Sequence, residues 1–374
     1  MRIAFYAPMK PPDAATPSGD RRMARLLIDA LTRAGHDVSL ASRLRSWSSD
    51  PDRHAALRAA AQQEAERFLE SGARPDLWFT YHLYYKAPDW IGPAVSAALG
   101  IPYIVAEASH APKRAAGPWA QSHADAESAI RQAVAICTIN PLDGACVLPL
   151  LDDPVRLRPL PPFLEHEPFD RVRAQARAEL LRTTGFDGDH PVALTVAMMR
   201  RGDKRESYRV LAAALMEARA GGGAVDLAVI GDGEARRDIE RDFAPLGASV
   251  RFLGARQPDD MPALLAGGDL FLWPAVKEAY GMAMLEAQAA GLPVIAGESG
   301  GVSSIVEPGL TGLLTPEGDV SAFAAAIVAL VDDEARRQAM GRRASAKIAR
   351  DHTIGAAAAR LDDILNSVTR REAA

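Results

Sequence analysis

The stretch LFLWPAVKEAYGMAMLEAQAAGLPVI, Leu270 to Ile295, decides the fold. Leu270–Trp273 reads as a short buried strand, Met282–Ala290 as a helix and Pro293–Ile295 as the next strand. A strand, a helix and a strand in that order form a βαβ unit with parallel strands. In an open parallel sheet, ligands bind beyond the carboxyl ends of the strands. The loop between Trp273 and Met282 is therefore the first place to look for chemistry.

The same rhythm extends in both directions. Val192–Val196, Leu227–Ile230 and Val250–Leu253 are strand-like, with Ser207–Arg219 a helix between the first two. Nearer the N-terminus, Ile3–Tyr6, Val38–Ala41, Leu77–Tyr81, Tyr103–Ala106 and Ala135–Thr138 repeat the pattern. A first helix carries Met23, Leu27, Ala30, Leu31 and Ala34 on one stripe, with Ser18 or Asp20 as N-cap and Gly35 as its stop. His54–Ser71 reads as a helix with a largely exposed face. The prolines of 158–168 resist both helix and central strand and mark a junction. The expectation is α/β, with two doubly wound Rossmann-like domains: 1–160, and 161–352 as the ligand-binding half. The last helix, about 353–374, is expected to pack back on the first domain.

At 374 residues, 48% hydrophobic and 24% charged, the chain has the length and composition of two globular cores. A net charge of −5 argues against a dedicated nucleic-acid binder. Cys137 and Cys146 lie in apolar segments without zinc spacing, which points to a reducing compartment. The opening MRIAFYAPMKPPD is too short in apolar residues for a signal-peptide core, and no run approaches a membrane span. A cytoplasmic protein is expected, with contact at the inner face of a membrane as an option through Arg21, Arg22 and Arg25. A solvated helix face is the plainer reading of those arginines.

Four loops carry candidate chemistry. In the first, Glu278 precedes the helix and Glu286 lies on its second turn; eight residues at helical rise span roughly 12 Å, the scale of a nucleotide sugar. The amides of Gly281 and Met282, beside Tyr280, open a helix N-terminus suited to phosphate. Two glutamates alone would be an ordinary surface pair, and the surroundings are what give them weight. In the second, VAMMRRGDKRE, Arg200 and Lys204 flank the Gly202 turn and are able to offset diphosphate charge without a metal. Gly231-Asp232-Gly233 is a tight turn with little chemistry of its own, and Gly300-Gly301-Val302 permits close backbone approach. The loop after the first strand lacks Gly-x-Gly-x-x-Gly, which excludes a standard dinucleotide redox site, but it supplies Gly19 ahead of a helix. Asp50/Asp52 and Asp187/Asp189 do not follow strands, so no metal is expected there.

Together these residues resemble the family-4 retaining glycosyltransferases of the GT-B fold, most strongly over 191–315. The Glu278, seven-residue gap, Glu286 arrangement followed by AAGLPV, GGV and TGLLTPEGD carries the resemblance as a set. It implies that Glu278 contacts the sugar, Glu286 the ribose, Arg200 and Lys204 the diphosphate, and Arg256 the base. Three departures stand out. The first arginine is displaced to Arg200 behind Ala197-Met198-Met199. Ser303 and Ser304 stand where the family often has a glutamate. The residue near the transferred sugar is either His110 or Glu107. His82 closes another strand on the acceptor side, where a lone histidine is more often structural.

The resemblance implies sugar transfer with retention from a nucleotide-diphosphate sugar, in glycan, polysaccharide or glycolipid synthesis, with no cofactor and no metal. The acceptor would be a glycan, a lipid-linked molecule or a small molecule. The rivals are a nucleotide-sugar epimerase or phosphorylase of the same fold, and a non-catalytic nucleotide-sugar-binding protein.

Overall fold

The computed structural model describes residues 1–16, 18–169, 173–278 and 280–372. Contacts divide the chain into two units, 1–163 with 354–374, and 164–353.

The first unit holds β1 (Arg2–Tyr6), β2 (Asp37–Ser42), β3 (Leu77–Leu83), β4 (Tyr103–Ala108), β5 (Ala135–Thr138) and β6 (Leu157–Pro159), all parallel, in the order β2-β1-β3-β4-β5-β6. Its helices are α1 (Gly19–Arg33), α2 (His54–Glu70), α3 (Gly92–Leu99), α4 (Ala120–Gln132) and α5 (Pro141–Val147). Ser18 caps α1, accepting a bond from the Arg21 amide at 3.2 Å. The strands β3 and β4 are almost continuously buried because each is covered on both faces.

The second unit holds β7 (Val192–Val196), β8 (Asp226–Ile230), β9 (Val250–Gly254), β10 (Leu270–Trp273), β11 (Val294–Glu298) and β12 (Gly312–Pro316). Their order, β12-β11-β10-β7-β8-β9, is again wholly parallel. Around them lie α6 (Arg173–Thr184), α7 (Asp203–Ala220), α8 (Arg236–Phe243), α9 (Met261–Ala266), α10 (Met282–Ala289), α11 (Val302–Ile305), α12 (Val320–Val331) and α13 (Glu334–Asp351). The final helix, α14 (Ile354–Glu372), packs against α1 and so belongs to the first unit.

Both units are Rossmann-like, as the alternation of strands and helices implies. Two strands escape the sequence reading, β6 and β12, and both are sheet edges. An edge strand is paired on one side only and needs neither a long nor a fully apolar run. Pro159 is tolerated at the end of β6 for that reason. The helix after β7 starts at Asp203, four residues ahead of Ser207. Gly202 turns the chain into it at φ +77°, and Asp203 and Glu206 in its first turn complement the helix dipole. Lys204 therefore stands on a helix, not in the loop. At Gly231 (φ +144°) a Cβ would fall 1.9 Å from the Ala197 carbonyl oxygen, so this turn demands glycine to bring β8 against the loop after β7.

One buried polar network organises the first sheet. Asp89 accepts bonds from the amides of Ile91 (2.9 Å) and Gly92 (2.7 Å), from the Thr80 hydroxyl (2.5 Å) and from the Tyr103 hydroxyl (3.0 Å). Trp78 Nε1 in turn donates to Thr80 at 2.9 Å. Asp89→Ala would leave four buried donors unsatisfied, so it is expected to cost about 3 kcal/mol or more. Urea unfolding followed by tryptophan fluorescence measures that loss.

Candidate functional site

In the second sheet the strand order reverses between β7 and β10, which pair directly through Ala193 with Leu270 and Leu194 with Phe271. Loops after two such strands diverge and leave room beyond their carboxyl ends. Lys204 follows β7 and Glu278 follows β10, and their side chains form an ion pair. Trp273 Nε1 donates to the same carboxylate oxygen at 2.9 Å, and the Lys204 ammonium lies over the Trp273 ring, 5.2 Å from its centre. The glutamate is thus aimed by two donors from two elements. Its side chain is 14% exposed and that of Lys204 30%, so the pair faces solvent while resting on an apolar base.

The loop that carries Glu278 is tied down along its length. The Val276 amide donates to the Ser207 hydroxyl at 3.0 Å, the Lys277 amide to Glu317 at 3.3 Å, and Lys277 Nζ meets Asp203 at 3.4 Å. Ala275 and Lys277 take φ of +55° and +46°, a left-handed backbone that side chains normally avoid. Such strain persists only where surrounding bonds overdetermine it, and it clusters at ligand sites. Gly281 (φ +79°) then opens α10, on which Glu286 is buried.

The other donor-side candidates spread out. Arg200 is exposed and makes no side-chain bond among the described residues. It is carried past the strand end because Met199 is wholly buried, its backbone bonded to Asp232 and Ala235. Arg256 is exposed in the loop after β9, and no bond links it to Lys204 or Glu278. Tyr280 is half-buried ahead of α10. Gly301 precedes the short α11, whose terminal carbonyls, Ile305 at 2.8 Å and Ser304 at 3.4 Å, are capped by the Lys347 ammonium. Burial holds that lysine below its ordinary range, against the pull of Glu307.

The first sheet has its own reversal, between β1 and β3. The chain after β1 leads to Gly19 and Asp20 at the start of α1, and His82 lies near the end of β3. His82 Nδ1 meets Asp20 Oδ1 at 3.1 Å. Gly19 is exposed, and a Cβ there would meet nothing within 4 Å, so no contact inside the protein demands glycine. His82 (φ +66°) and Glu107 (φ +61°, in β4) share the left-handed backbone of the loop at Glu278. Burial works against a charged His82, but Glu107, Asp20 and Asp143 outweigh it and hold the imidazole above its usual value. Asp20 is held below the carboxylate range because His82 overcomes its burial.

His110 stands apart from this group, its Nε2 3.3 Å from Glu127 on α4. Of the two residues in question near the end of β4, Glu107 is the one grouped with His82. Arg21 and Arg25 point back onto the carbonyl of Pro12, at 3.4 and 2.7 Å, and so hold the loop after β1. Among the described residues no helix is long and apolar enough to cross a membrane. The sequence reading missed Trp273, Ser207 and Asp20 as site residues, since each acts by holding another group.

With this geometry in view, residues 190–333 match the family model described as glycosyl transferases group 1. The match lies within the second unit, over the segments that carry Lys204 and Glu278. The resemblance to family-4 enzymes of the GT-B fold is thereby borne out. A curated relative from Corynebacterium glutamicum, a GDP-mannose-dependent monoacylated alpha-(1-6)-phosphatidylinositol monomannoside mannosyltransferase, is 31% identical over 56% of this chain and 56% of its own. The alpha-D-kanosaminyltransferase of Streptomyces kanamyceticus is 29% identical over 55% of this chain and 53% of its own. The chain thus spans about half the length of these curated relatives. Among solved structures, sucrose-phosphate synthase from Thermosynechococcus elongatus aligns with a TM-score of 0.74 at 21% identity, over 99% of each chain. Anabaena HepE in complex with UDP aligns at 0.73 and 17%, over 98% of this chain and 100% of that one. These likenesses show the shared GT-B fold.

The signs of the two shifts at His82 and Asp20 fix a pH window. A raised histidine contributes stability that is complete below its unfolded value, near about 6.5, and lost as pH rises through the native value. A depressed aspartate contributes above its unfolded value, near about 3.9, and loses that contribution as pH falls through the native one. The pair is therefore strongest between the two. An NMR titration of the His82 ring should give a midpoint above the ordinary value, falling in Asp20→Asn.

Proposed function

We propose that this protein transfers a sugar from a nucleotide-diphosphate donor to an acceptor hydroxyl with retention of anomeric configuration. The observation that carries the reading is the Lys204–Glu278 pair at the strand reversal of the second sheet. Without ligand, the ammonium neutralises the carboxylate. A donor diphosphate competes for Lys204, and Glu278, still held by Trp273, is then free to accept bonds from sugar hydroxyls.

Negative charge grows on the diphosphate as the glycosidic bond breaks. In this reading Lys204, Arg200 and the amides at the start of α10 stabilise it. In this reading they take the place of a divalent ion at the diphosphate. Glu286 serves the ribose, with Tyr280 and Gly281 lining the way between, and Arg256 reaches the base as the outlying contact. The departing phosphate oxygen takes the acceptor proton, so the reaction proceeds on one face without a protein nucleophile. In the first unit, Glu107, supported by His82, is the group proposed to engage acceptor hydroxyls, with His110 as the alternative. The relatives named above include a phosphatidylinositol monomannoside mannosyltransferase and a kanosaminyltransferase, and the acceptor proposed here is a polyhydroxylated small molecule or glycolipid headgroup.

A panel of nucleotide sugars, followed by donor hydrolysis and by transfer in the presence of polyol acceptors, tests the reading. Turnover should require no added Mg²⁺ or Mn²⁺. Lys204→Ala is expected to lower kcat by about 10²-fold, the scale of removing one preorganised charge donor. Glu278→Gln, which keeps the shape and loses the charge, should reduce kcat more than donor affinity. Unchanged rates in both variants would overturn the assignment.

A further inference from the structure

In the first unit, away from the His82 group, three potential metal ligands converge. His110 follows β4, and His123 and Glu127 sit four residues apart on one face of α4. Their ligand atoms all lie within 4.8 Å of one another. His110 Nε2 and Glu127 Oε2 are 3.3 Å apart. That is about the edge of a tetrahedron whose ligands stand ~2.0–2.1 Å from a zinc ion.

His123 supplies the independent sign that something is bound here. Its side chain is only 4% exposed, and its Nε2 has no hydrogen-bond partner. The ring bonds the backbone of Ala111, and Nε2 is the buried ring nitrogen left without a partner. A buried ring nitrogen without a partner is costly, and a metal ligand is one of the few roles that satisfies it. A ligating imidazole typically has its second nitrogen fixed by a carbonyl, the arrangement seen at His123.

The carboxylate is oriented in the same way. Arg131 Nη2 holds Glu127 Oε1 at 2.9 Å and Arg131 Nη1 holds the Leu150 carbonyl at 2.9 Å, so Oε2 is turned toward His110. The arginine charge rests on the far oxygen. A recess of about 310 Å³ opens beside His123 and Glu127 and gives a water room to complete the coordination.

We propose that His110, His123 and Glu127 bind one divalent ion of the zinc class. Two imidazoles and one carboxylate suit Zn²⁺ better than the hard ions Mg²⁺ or Ca²⁺, which prefer oxygen cages. The ion clasps the segment after β4 to α4, with water in its fourth position. The proposed ion takes no part in the sugar-transfer reading above.

The test uses the full-length, untagged protein stripped of metal, with Zn²⁺ titrated in competition with a chromophoric chelator. One equivalent should bind per chain. His123→Ala and Glu127→Gln should each weaken binding at least tenfold, and Zn²⁺ should raise the thermal midpoint of the wild type but not of these variants. Because His123 is buried and its replacement removes packing from α4, His110→Ala is the second variant; Co²⁺ should give the visible absorption of a tetrahedral site in the wild type and not in His110→Ala. Absence of stoichiometric Zn²⁺ binding to the wild type, or equal affinity in all three variants, would overturn the proposal. Either result is read from metal binding alone and leaves the sugar-transfer reading untouched.

Discussion

The Lys204–Glu278 pair of the second unit depends on where a wholly parallel sheet reverses its strand order. β7 and β10 are hydrogen-bonded neighbours far apart in sequence, and each must be followed by a connection that leaves the sheet. Their loops part at the carboxyl ends, and the polar groups on them are not absorbed into the core. The Lys204–Glu278 pair occupies that place because the register of two strands brings residues 74 positions apart within bonding distance. The first sheet repeats the principle with β1 and β3, where Asp20 meets His82.

The two sites also share a form of stored strain. His82, Glu107, Ala275 and Lys277 are the non-glycine residues with left-handed backbone among those described, and all four lie at or just beyond the carboxyl end of a strand. Elsewhere the chain uses glycine for such turns. Side chains other than glycine's are kept at these four points at a cost of order 1–3 kcal/mol each. At 275–278 the compensation is visible in the bonds the loop donates to Ser207, Glu317 and Asp203. This arrangement keeps Glu278 fixed before any ligand arrives, so that binding energy is not spent on ordering it.

The neighbouring polar groups show how burial decides roles. Asp89 is enclosed and saturated with donors, and it acts as a structural node. Glu278 is held by two donors but open to solvent, and Glu107 is buried beside a histidine whose charge it favours. Lys347, a lysine sealed against the end of α11, steadies the glycine loop instead of meeting solvent. The same residue types thus serve as scaffold or as reactive group according to what surrounds them.

The sequence by itself determined the two-sheet architecture, ten of the twelve strands among the described residues, and the strand ends that lead to Glu278, Lys204 and Gly19. Those features are written locally, in apolar runs, helix periodicity and turn residues, and local patterns survive without knowledge of the fold. The two edge strands were not legible, since pairing on one side asks little of composition. Sequence alone puts Lys204 in a loop and names His110 for the transferred sugar, with Glu107 as the alternative. Tertiary structure moved Lys204 onto α7, joined it to Glu278 across the sheet, set Glu107 with His82, and gave His110 to Glu127 and His123. Those pairings join residues distant along the chain. They depend on strand register, backbone strain and burial, which no short stretch of sequence encodes.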